Sequence, residues 1–157
     1  MNFAKNFFEA NHEACDIAPN ELSVVIIIRH SSTPLIFNDH IWEKYGDYFV
    51  ERTKIFDPRT KAPPRTNLYN VALPGHELPN GKVTLTDLSK LGARFAVCSM
   101  AAKNFSIALA KDVNGNADVI LKELEGNLAA DTALMVPAGI LTVNRAQEHG
   151  YTFSYCG

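Results

Sequence analysis

The alternation of short apolar runs with segments of helical pattern constrains the fold of this chain most strongly. Residues 22–28 are nearly all apolar and rich in β-branched side chains. This run predicts a parallel strand that lies centrally in a sheet and is buried on both faces. Two further short apolar runs occupy residues 94–98 and 134–136. Strands that alternate with helices predict a three-layer α/β fold with a mostly parallel central sheet.

An extra helix is predicted before the first strand, at residues 3–15. Its apolar side chains fall at helical spacing on one stripe, which comprises Phe3, Phe7, Ala10 and Ala14. Cys15 is predicted to be a core position of this helix. After the first strand, Thr33-Pro34 predicts the start of a second helix, because a threonine cap followed by proline favours helix initiation. That helix is expected to end at Gly46.

A Pro-rich excursion, residues 46–84, follows the second helix. A structureless loop of this length is uncommon in a compact domain, so a short strand is expected near Leu68–Leu73. The rest is predicted to pass over the site or to form an oligomer contact.

Regular structure is predicted to resume with a short helix that Thr86 caps and Gly92 closes. Asn114-Gly115 predicts a turn. The tail, residues 151–155, alternates strictly between apolar and polar side chains, which predicts one packed face. The other helices are expected at residues 100–110, 117–124 and 139–149, the last opened by Pro137-Ala138-Gly139 and stopped by Gly150.

The bulk properties suit one soluble domain spanning residues 1–157, with a net charge of −2. A net charge this small produces no long-range electrostatic attraction to nucleic acid or to a membrane surface. The local basic cluster is predicted to be a solvated loop rather than a binding patch, because no aromatic side chains interleave with it; it comprises Lys54, Arg59, Lys61 and Arg65.

No apolar run in the sequence approaches the length of a membrane span. A cytoplasmic protein is expected if Met1 is the native start, and a periplasmic one if a leader has been removed.

Cysteine usage argues against a disulfide framework or a structural zinc site, because Cys15, Cys98 and Cys156 are widely spaced and form no CxxC pair. Cys156 lies in the tail, where accidental oxidation is a more plausible fate than catalysis. A metal site built from the histidines and Glu77 has no supporting spacing, so no metal is expected; the candidates would be His12, His30 and His76. Gly-rich phosphate loops and the GxSxG elbow are also absent from the sequence, and no cofactor is predicted.

Three strand ends carry the residues that could perform chemistry. Because the carboxyl ends of parallel strands meet at one edge of the sheet, these residues are expected to converge. Cys98 stands where a strand passes into a helix, and a helix N-terminus favours the thiolate form of cysteine. Cys98 and His30 are therefore the candidate catalytic residues, with His30 deprotonating the thiol or holding it as thiolate. The candidate ligand-binding residues are Arg29, Ser99, Met100, Pro137, Ala138 and Gly139.

Each of these residues has a purely structural alternative. Cys98 could be a small buried hydrophobic side chain, which is a common state of free cysteine. His30 could be held by backbone groups, and Arg29 could pair with a carboxylate at the edge of the sheet. Pro137-Ala138-Gly139 could be only a tight turn.

Two segments resemble the DsrE/DsrF-like superfamily, which includes the sulfur-relay and YchN-like proteins. Residues 95–102, Phe-Ala-Val-Cys-Ser-Met-Ala-Ala, resemble the strand–cysteine–helix element of that superfamily, and residues 136–151 resemble its closing strand–helix–strand segment. The resemblance covers roughly residues 22–155, although the Pro-rich excursion matches poorly. It implies a flavodoxin-like fold, a trimeric or hexameric homo-oligomer, and a persulfide on Cys98 that is exchanged with a sulfur-donor or acceptor protein. Lys103-Asn104-Phe105-Ser106 departs from the Arg-Gly that members often carry there.

Three functions remain open from the sequence. The first is a sulfur-handling protein in which Cys98 forms a persulfide or a mixed disulfide. The second is a non-enzymatic module whose pocket binds a small anion or metabolite. The third is an assembly domain, in which the N-terminal helix and the long loop build an oligomer.

Overall fold

A computed structural model describes residues 1–72 and 83–155 of this α/β chain. Helices and parallel strands follow one another along the chain from β1 onwards, which agrees with the predicted α/β class and its parallel sheet. The helices are α1 (Asn2–Cys15), α2 (Asp39–Thr53), α3 (Leu85–Lys90), α4 (Ser99–Asp112), α5 (Ala117–Glu125) and α6 (Gly139–Glu148). The strands are β1 (Val25–Ile28), β2 (Arg94–Cys98) and β3 (Ala133–Val136), and 3-10 segments lie at Pro19–Glu21 and His30–Ile36.

The sheet has the order β1-β2-β3, and both neighbouring pairs of strands are parallel. Ile28 pairs with Val97, and Cys98 pairs with Val136, so the three strands end close together. The prediction that residues 22–28 form the central strand is wrong, because β2 takes the centre and β1 lies at an edge of the described sheet. The side chains of β1 are accordingly half-buried, except for Ile28.

The main core lies on one face of the sheet. Alternate strand residues, among them Ile28, Phe95 and Val97, point into this core and meet side chains of α2, α4 and α5. The opposite face carries Ile27 and Cys98, and α6 contacts β1 and β2 there. The largest fully buried side chains of the described residues are Trp42, Tyr45, Phe8, Phe37, Phe49, Phe95, Ile36, Ile41, Leu85, Leu88, Leu124 and Val97.

Helix α2 begins later and ends later than its sequence predicts. Thr33-Pro34 lies inside the 3-10 segment, and α2 is capped instead by Asn38, whose side-chain oxygen accepts a hydrogen bond from the backbone N–H of Ile41 at 3.3 Å. Gly46 does not stop the helix. A Cβ atom at Gly46 would lie 2.2 Å from the carbonyl oxygen of Pro64, so this glycine allows a loop to approach α2 closely.

The middle and end of the chain follow the predicted order of elements. The predicted strands and helices from residue 94 to residue 149 are confirmed within about two residues as β2, α4, α5, β3 and α6. Gly92 and Gly150 adopt positive φ angles of 95° and 85° beyond the ends of α3 and α6, as expected for helix-stopping glycines. Asn114 is also left-handed, at the predicted turn.

Four local predictions are wrong. Thr84 rather than Thr86 caps α3, through a reciprocal pair of hydrogen bonds with Asp87. Residues 67–70 form a turn and no strand, and Leu73 lies outside the described residues. The tail, residues 151–155, has no regular structure and is mostly exposed. Cys15 is exposed rather than a core residue.

Helix α1 is confirmed as a helix, but its buried side differs from the predicted stripe. Phe8 is the residue that α1 buries, and Met1 and Ala4 pack beside it against the core. Phe3 and Phe7 are exposed. The helix therefore carries two apolar faces, of which the domain covers one.

Candidate functional site

A cavity of about 430 Å³ opens at the carboxyl edge of the sheet, beside the ends of β1 and β2 and the segment that follows β3. The ends of the parallel strands place the predicted catalytic pair, Cys98 and His30, around this one space. The residues that line the cavity are Arg29, His30, Cys98, Met100, Ala101, Asn104, Ala138, Gly139 and Ile140. Their convergence agrees with the geometry expected of parallel strands, and their roles in binding or catalysis stay predictions.

Cys98 is the last residue of β2 and also the N-terminal cap residue of α4. The residue is 8% exposed and lines the cavity, so its thiol is sheltered but not sealed off. A Cβ atom built on Gly139 would lie 3.7 Å from Cβ of Cys98 and 3.0 Å from Cγ2 of Ile27. The absence of a side chain at Gly139 therefore keeps space open beside Cys98.

Arg29 and His30 form the polar rim of the cavity. A guanidinium nitrogen of Arg29 donates a hydrogen bond to Nε2 of His30. Since guanidinium has no acceptor, Nε2 of His30 is the acceptor in this contact. His30 also adopts a left-handed backbone conformation, with φ 52°, which is uncommon for a residue other than glycine. The following turn is held by Ser32, whose hydroxyl donates to the Arg29 carbonyl at 2.7 Å.

Cys98 and His30, the predicted catalytic pair, form no hydrogen bond with each other in the described part of the chain. Nε2 of His30 faces Arg29 instead. The sequence places both residues at strand ends, which predicts their proximity but not the orientation of the imidazole. Arg29 follows the same strand and competes for that nitrogen. The hypothesis that His30 directly deprotonates Cys98 would require this contact to open.

The two helices that begin at the cavity lack the usual N-terminal caps. Cys98 and Ala138, the cap residues of α4 and α6, accept no capping hydrogen bond through their side chains, and neither helix has an acidic residue in its first turn. Their free N–H groups and the helix dipoles favour negative charge in the cavity. By contrast, α2, α3 and α5 have both side-chain caps and first-turn acids, namely Asn38, Thr84 and Asn116, and Asp39, Asp87 and Asp118.

The sequence-based prediction of the lining is incomplete. Ser99 and Pro137 adjoin the cavity in sequence but are not among the residues that line it. Conversely, Ala101, Asn104 and Ile140 line the cavity and were not predicted. Ala101 and Asn104 stand three and six residues after Cys98, so helical spacing along α4 was a signal for them.

A separate polar cluster joins α2 to α5 away from this cavity. Glu123 accepts hydrogen bonds from Nζ of Lys44 at 2.7 Å and from the hydroxyl of Tyr45 at 2.8 Å. Burial would raise the pKa of Glu123, but the hydrogen bonds from Lys44 and Tyr45 outweigh burial and lower it. The hydrogen bond to Glu123 is also the main reason that the pKa of Lys44 is raised. This cluster is a structural clasp between two helices.

No group of three or more metal-ligating side chains occurs in residues 1–72 and 83–155. His76 and Glu77, two of the candidate metal ligands in the sequence, lie outside those ranges, as does Cys156. A second cavity, of about 320 Å³, lies near α3 and the loop before β3 and includes Ser89, Lys90 and Asp131 in its lining. No described helix is both long and apolar enough to cross a bilayer.

Comparisons with protein-family models, with curated proteins and with solved structures find no match to this chain. Inference about function therefore rests on the cavity and the residues that line it.

Proposed function

We propose that this chain is a sulfur-handling protein of the DsrE/DsrF-like type, with a three-layer flavodoxin-like fold, in which Cys98 carries a sulfur atom. The observation that carries the proposal is the position of the Cys98 side chain. It is a sheltered thiol in a cavity that contains Arg29 and His30, no acidic side chain among its lining residues, and two uncapped helix N-termini. The resemblance of residues 95–102 to the strand–cysteine–helix element of the superfamily supports the same assignment.

The proposed reaction is a transfer of sulfane sulfur from a persulfide donor, R–S–SH. The Cys98 thiolate attacks the outer sulfur of the donor, so a bond forms between Sγ and that sulfur while the donor S–S bond breaks. The donor leaves as R–S⁻ and takes up a proton from solvent, and Cys98 holds the persulfide Cys–S–SH. The sulfane sulfur keeps its oxidation state, so no further oxidant or reductant is needed.

The surroundings of Cys98 suit the negative charge that this reaction carries. The N–H groups of the first turns of α4 and α6 can stabilise an attacking thiolate and a bound persulfide anion. Arg29 can hold an anionic group of the donor, and its hydrogen bond to His30 fixes the guanidinium at the rim. In this arrangement His30 positions Arg29 and does not itself take the proton of Cys98.

Besides its polar residues, the rim of the cavity carries two exposed apolar side chains, which support a protein as donor or acceptor. Met100 and Ile140 line the cavity and are 63% and 59% exposed. Large exposed apolar side chains at a site favour a protein–protein contact. A sulfur-donor or acceptor protein, or another subunit of a trimeric or hexameric homo-oligomer, is the proposed occupant of this rim.

The test is peptide-mapping mass spectrometry after incubation with glutathione persulfide. The proposal expects a gain of one sulfur atom on Cys98, abolished in Cys98→Ser and retained in Cys15→Ser. Cys15 is the matched control because it is an exposed free thiol outside the cavity. The proposal is wrong if the folded protein shows no adduct on Cys98, or if Cys15 gains sulfur equally fast.

A second candidate function is the binding of a small anion without chemistry. The uncapped N-termini of α4 and α6 and the guanidinium of Arg29 favour it, since none of the three depends on the thiol. Thermal denaturation with added sulfite or phosphate distinguishes the two functions. Stabilisation that is lost in Arg29→Gln and kept in Cys98→Ser, together with no sulfur adduct, would favour the binding module.

A further inference from the structure

Helix α1 exposes an apolar stripe that no described residue covers. The helix docks on the domain through Phe8, which is buried among core side chains. On a neighbouring face Phe3 is 67% exposed and Phe7 is 47% exposed. Ala10 and Ala14 continue this face and are also exposed. The spacing of these four residues, four then three then four, is that of a two-heptad seam between helices.

We propose that this stripe pairs in antiparallel orientation with the same stripe of a second copy of the chain. The sizes of its side chains support self-pairing, because the two large residues lie in the first half of α1 and the two small residues in the second half. Antiparallel pairing places Phe3 against Ala14 of the second copy, and Phe7 against Ala10. Each ring then meets a small residue, so the two helices can approach closely without collision. A contact of this kind is two-fold symmetric and closes at two copies.

The polar residues beside the stripe are compatible with the same arrangement. In antiparallel pairing, Asn6 flanks Glu13 of the second copy, and an asparagine amide can donate to a carboxylate. On the solvent side of α1, Lys5 and Glu9 form an ion pair at 2.7 Å within one helix. A lipid surface is a poorer occupant, because an interfacial helix is typically rich in basic residues and α1 contains one lysine against two glutamates.

One of the two rings of the stripe already has a contact within its own chain. The ring of Phe7 packs edge-on against the buried ring of Phe8, with 6.3 Å between centroids, which limits the freedom that Phe7 would lose on pairing. The contact is small, however. With ~200 Å² for each phenylalanine, four partly exposed rings offer about 450 Å², well below the roughly 1,200 Å² of a stable interface. The dimer is therefore weak and forms at high protein concentration.

Sedimentation velocity over a series of protein concentrations tests the contact. The wild type is expected to double in mass by reversible association as concentration rises, and Phe7→Glu is expected to weaken this association at least tenfold. Val119→Glu is the matched control, because Val119 is equally apolar and 65% exposed but lies on α5. Unchanged circular dichroism and melting temperature establish that Phe7→Glu still folds. A wild type whose mass does not change with concentration, or an association that Phe7→Glu leaves intact, would overturn the proposal.

The orientation of the pair is tested by Asn6→Lys. Antiparallel pairing places the new lysine beside Glu13 of the second copy, so the dimer should tighten two- to threefold at low salt and lose this gain at high salt. Weaker pairing in Asn6→Lys would overturn the antiparallel register.

Co-sedimentation with phosphatidylcholine vesicles tests whether a lipid surface, rather than a second copy of the chain, covers the stripe. Vesicle binding that depends on Phe7, in a chain that does not dimerise, would overturn self-pairing in favour of a lipid surface.

Discussion

Thr33 is a fully buried residue whose hydroxyl has no hydrogen-bond partner among the residues that the structure describes. An unpaired buried hydroxyl carries a desolvation penalty that no bond compensates. Thr33→Val removes the hydroxyl and keeps the branched shape. The free energy of unfolding should therefore rise by about 1 kcal/mol, as measured by urea denaturation at neutral pH.

Thr132 provides the control for this substitution. Its hydroxyl lies 3.0 Å from the hydroxyl of Ser89, so Thr132→Val breaks a hydrogen bond and should lower stability. Stabilisation by both substitutions, or by neither, would contradict the assignment of Thr33 as an unpaired group.

At the residue scale the sequence predicted the location of the candidate site better than its orientation. Cys98, Arg29 and His30 stand at strand ends, and parallel strands bring such residues together whatever their side chains are. The direction in which the His30 imidazole points depends on its left-handed backbone and on the neighbouring guanidinium. Neither feature has a signature in apolar periodicity.

At the scale of secondary-structure elements, the packing of a loop against α2 explains why residue 46 is a glycine. In an ordinary helix interior, alanine is more favourable than glycine by about 1 kcal/mol. At Gly46 the added methyl would meet the carbonyl oxygen of Pro64 at 2.2 Å, so α2 or the loop must move. Gly46→Ala should therefore destabilise the protein by about 2 kcal/mol, as for other overpacked sites.

Gly126→Ala serves as the comparison for Gly46→Ala in the same denaturation experiment. Gly126 has φ −82° at the end of α5, and its added Cβ would lie 3.3 Å from the Lys122 carbonyl oxygen, a tight contact that a small shift relieves, unlike the 2.2 Å at Gly46. Its substitution should change stability by less than about 0.5 kcal/mol. A stabilising effect of Gly46→Ala would show that the loop at Pro64 does not press on α2.

The clasp between α2 and α5 makes stability depend on pH in acid. The hydrogen bonds from Lys44 and Tyr45 lower the pKa of Glu123 in the folded chain below its ordinary value of 4.5, despite burial. A lowered folded pKa contributes stability that is complete above the unfolded pKa and is lost as pH falls through the folded pKa. Glu123→Gln should therefore be less stable than wild type at pH 7, by about 1–2 kcal/mol, and the difference should shrink towards pH 3.

Urea denaturation between pH 7 and pH 3 measures this difference. Glu125, which has no ion-pair or hydrogen-bond partner in the described part of the chain, provides the control, because Glu125→Gln should change stability little at any pH. A deficit of Glu123→Gln that is the same at pH 3 and pH 7 would show that the charge of Glu123 is not what holds the clasp.

Element boundaries were predictable where the local signals agreed. The β2–α4 and β3–α6 segments have a compact apolar run followed directly by a helical pattern, and their positions were predicted within about two residues. The start of α2 was missed because Thr33-Pro34 offers a helix-start signal that the chain uses in a 3-10 segment. Sheet order was missed because an apolar run does not show which neighbours a strand pairs with.

For the whole molecule, the alternation of strands and helices accounts for the place of the cavity. A parallel sheet gathers the ends of its strands at one edge, and α4 and α6 begin there without acidic first turns. The cavity thus combines a thiol with an environment that favours anions. The central claim is that this environment favours negative charge at Cys98.

The most direct test compares alkylation of Cys98 by iodoacetate, which is anionic, with alkylation by iodoacetamide, which is neutral. Cys15 is the internal reference, because it is exposed and lies near Glu13 and Asp16. Quantitative peptide mapping of one sample gives both rates at both thiols. The account predicts that the iodoacetate-to-iodoacetamide ratio is about tenfold higher at Cys98 than at Cys15, and that Arg29→Gln reduces it. An equal or lower ratio at Cys98, or a Cys98 that neither reagent modifies in the folded protein, would contradict the account.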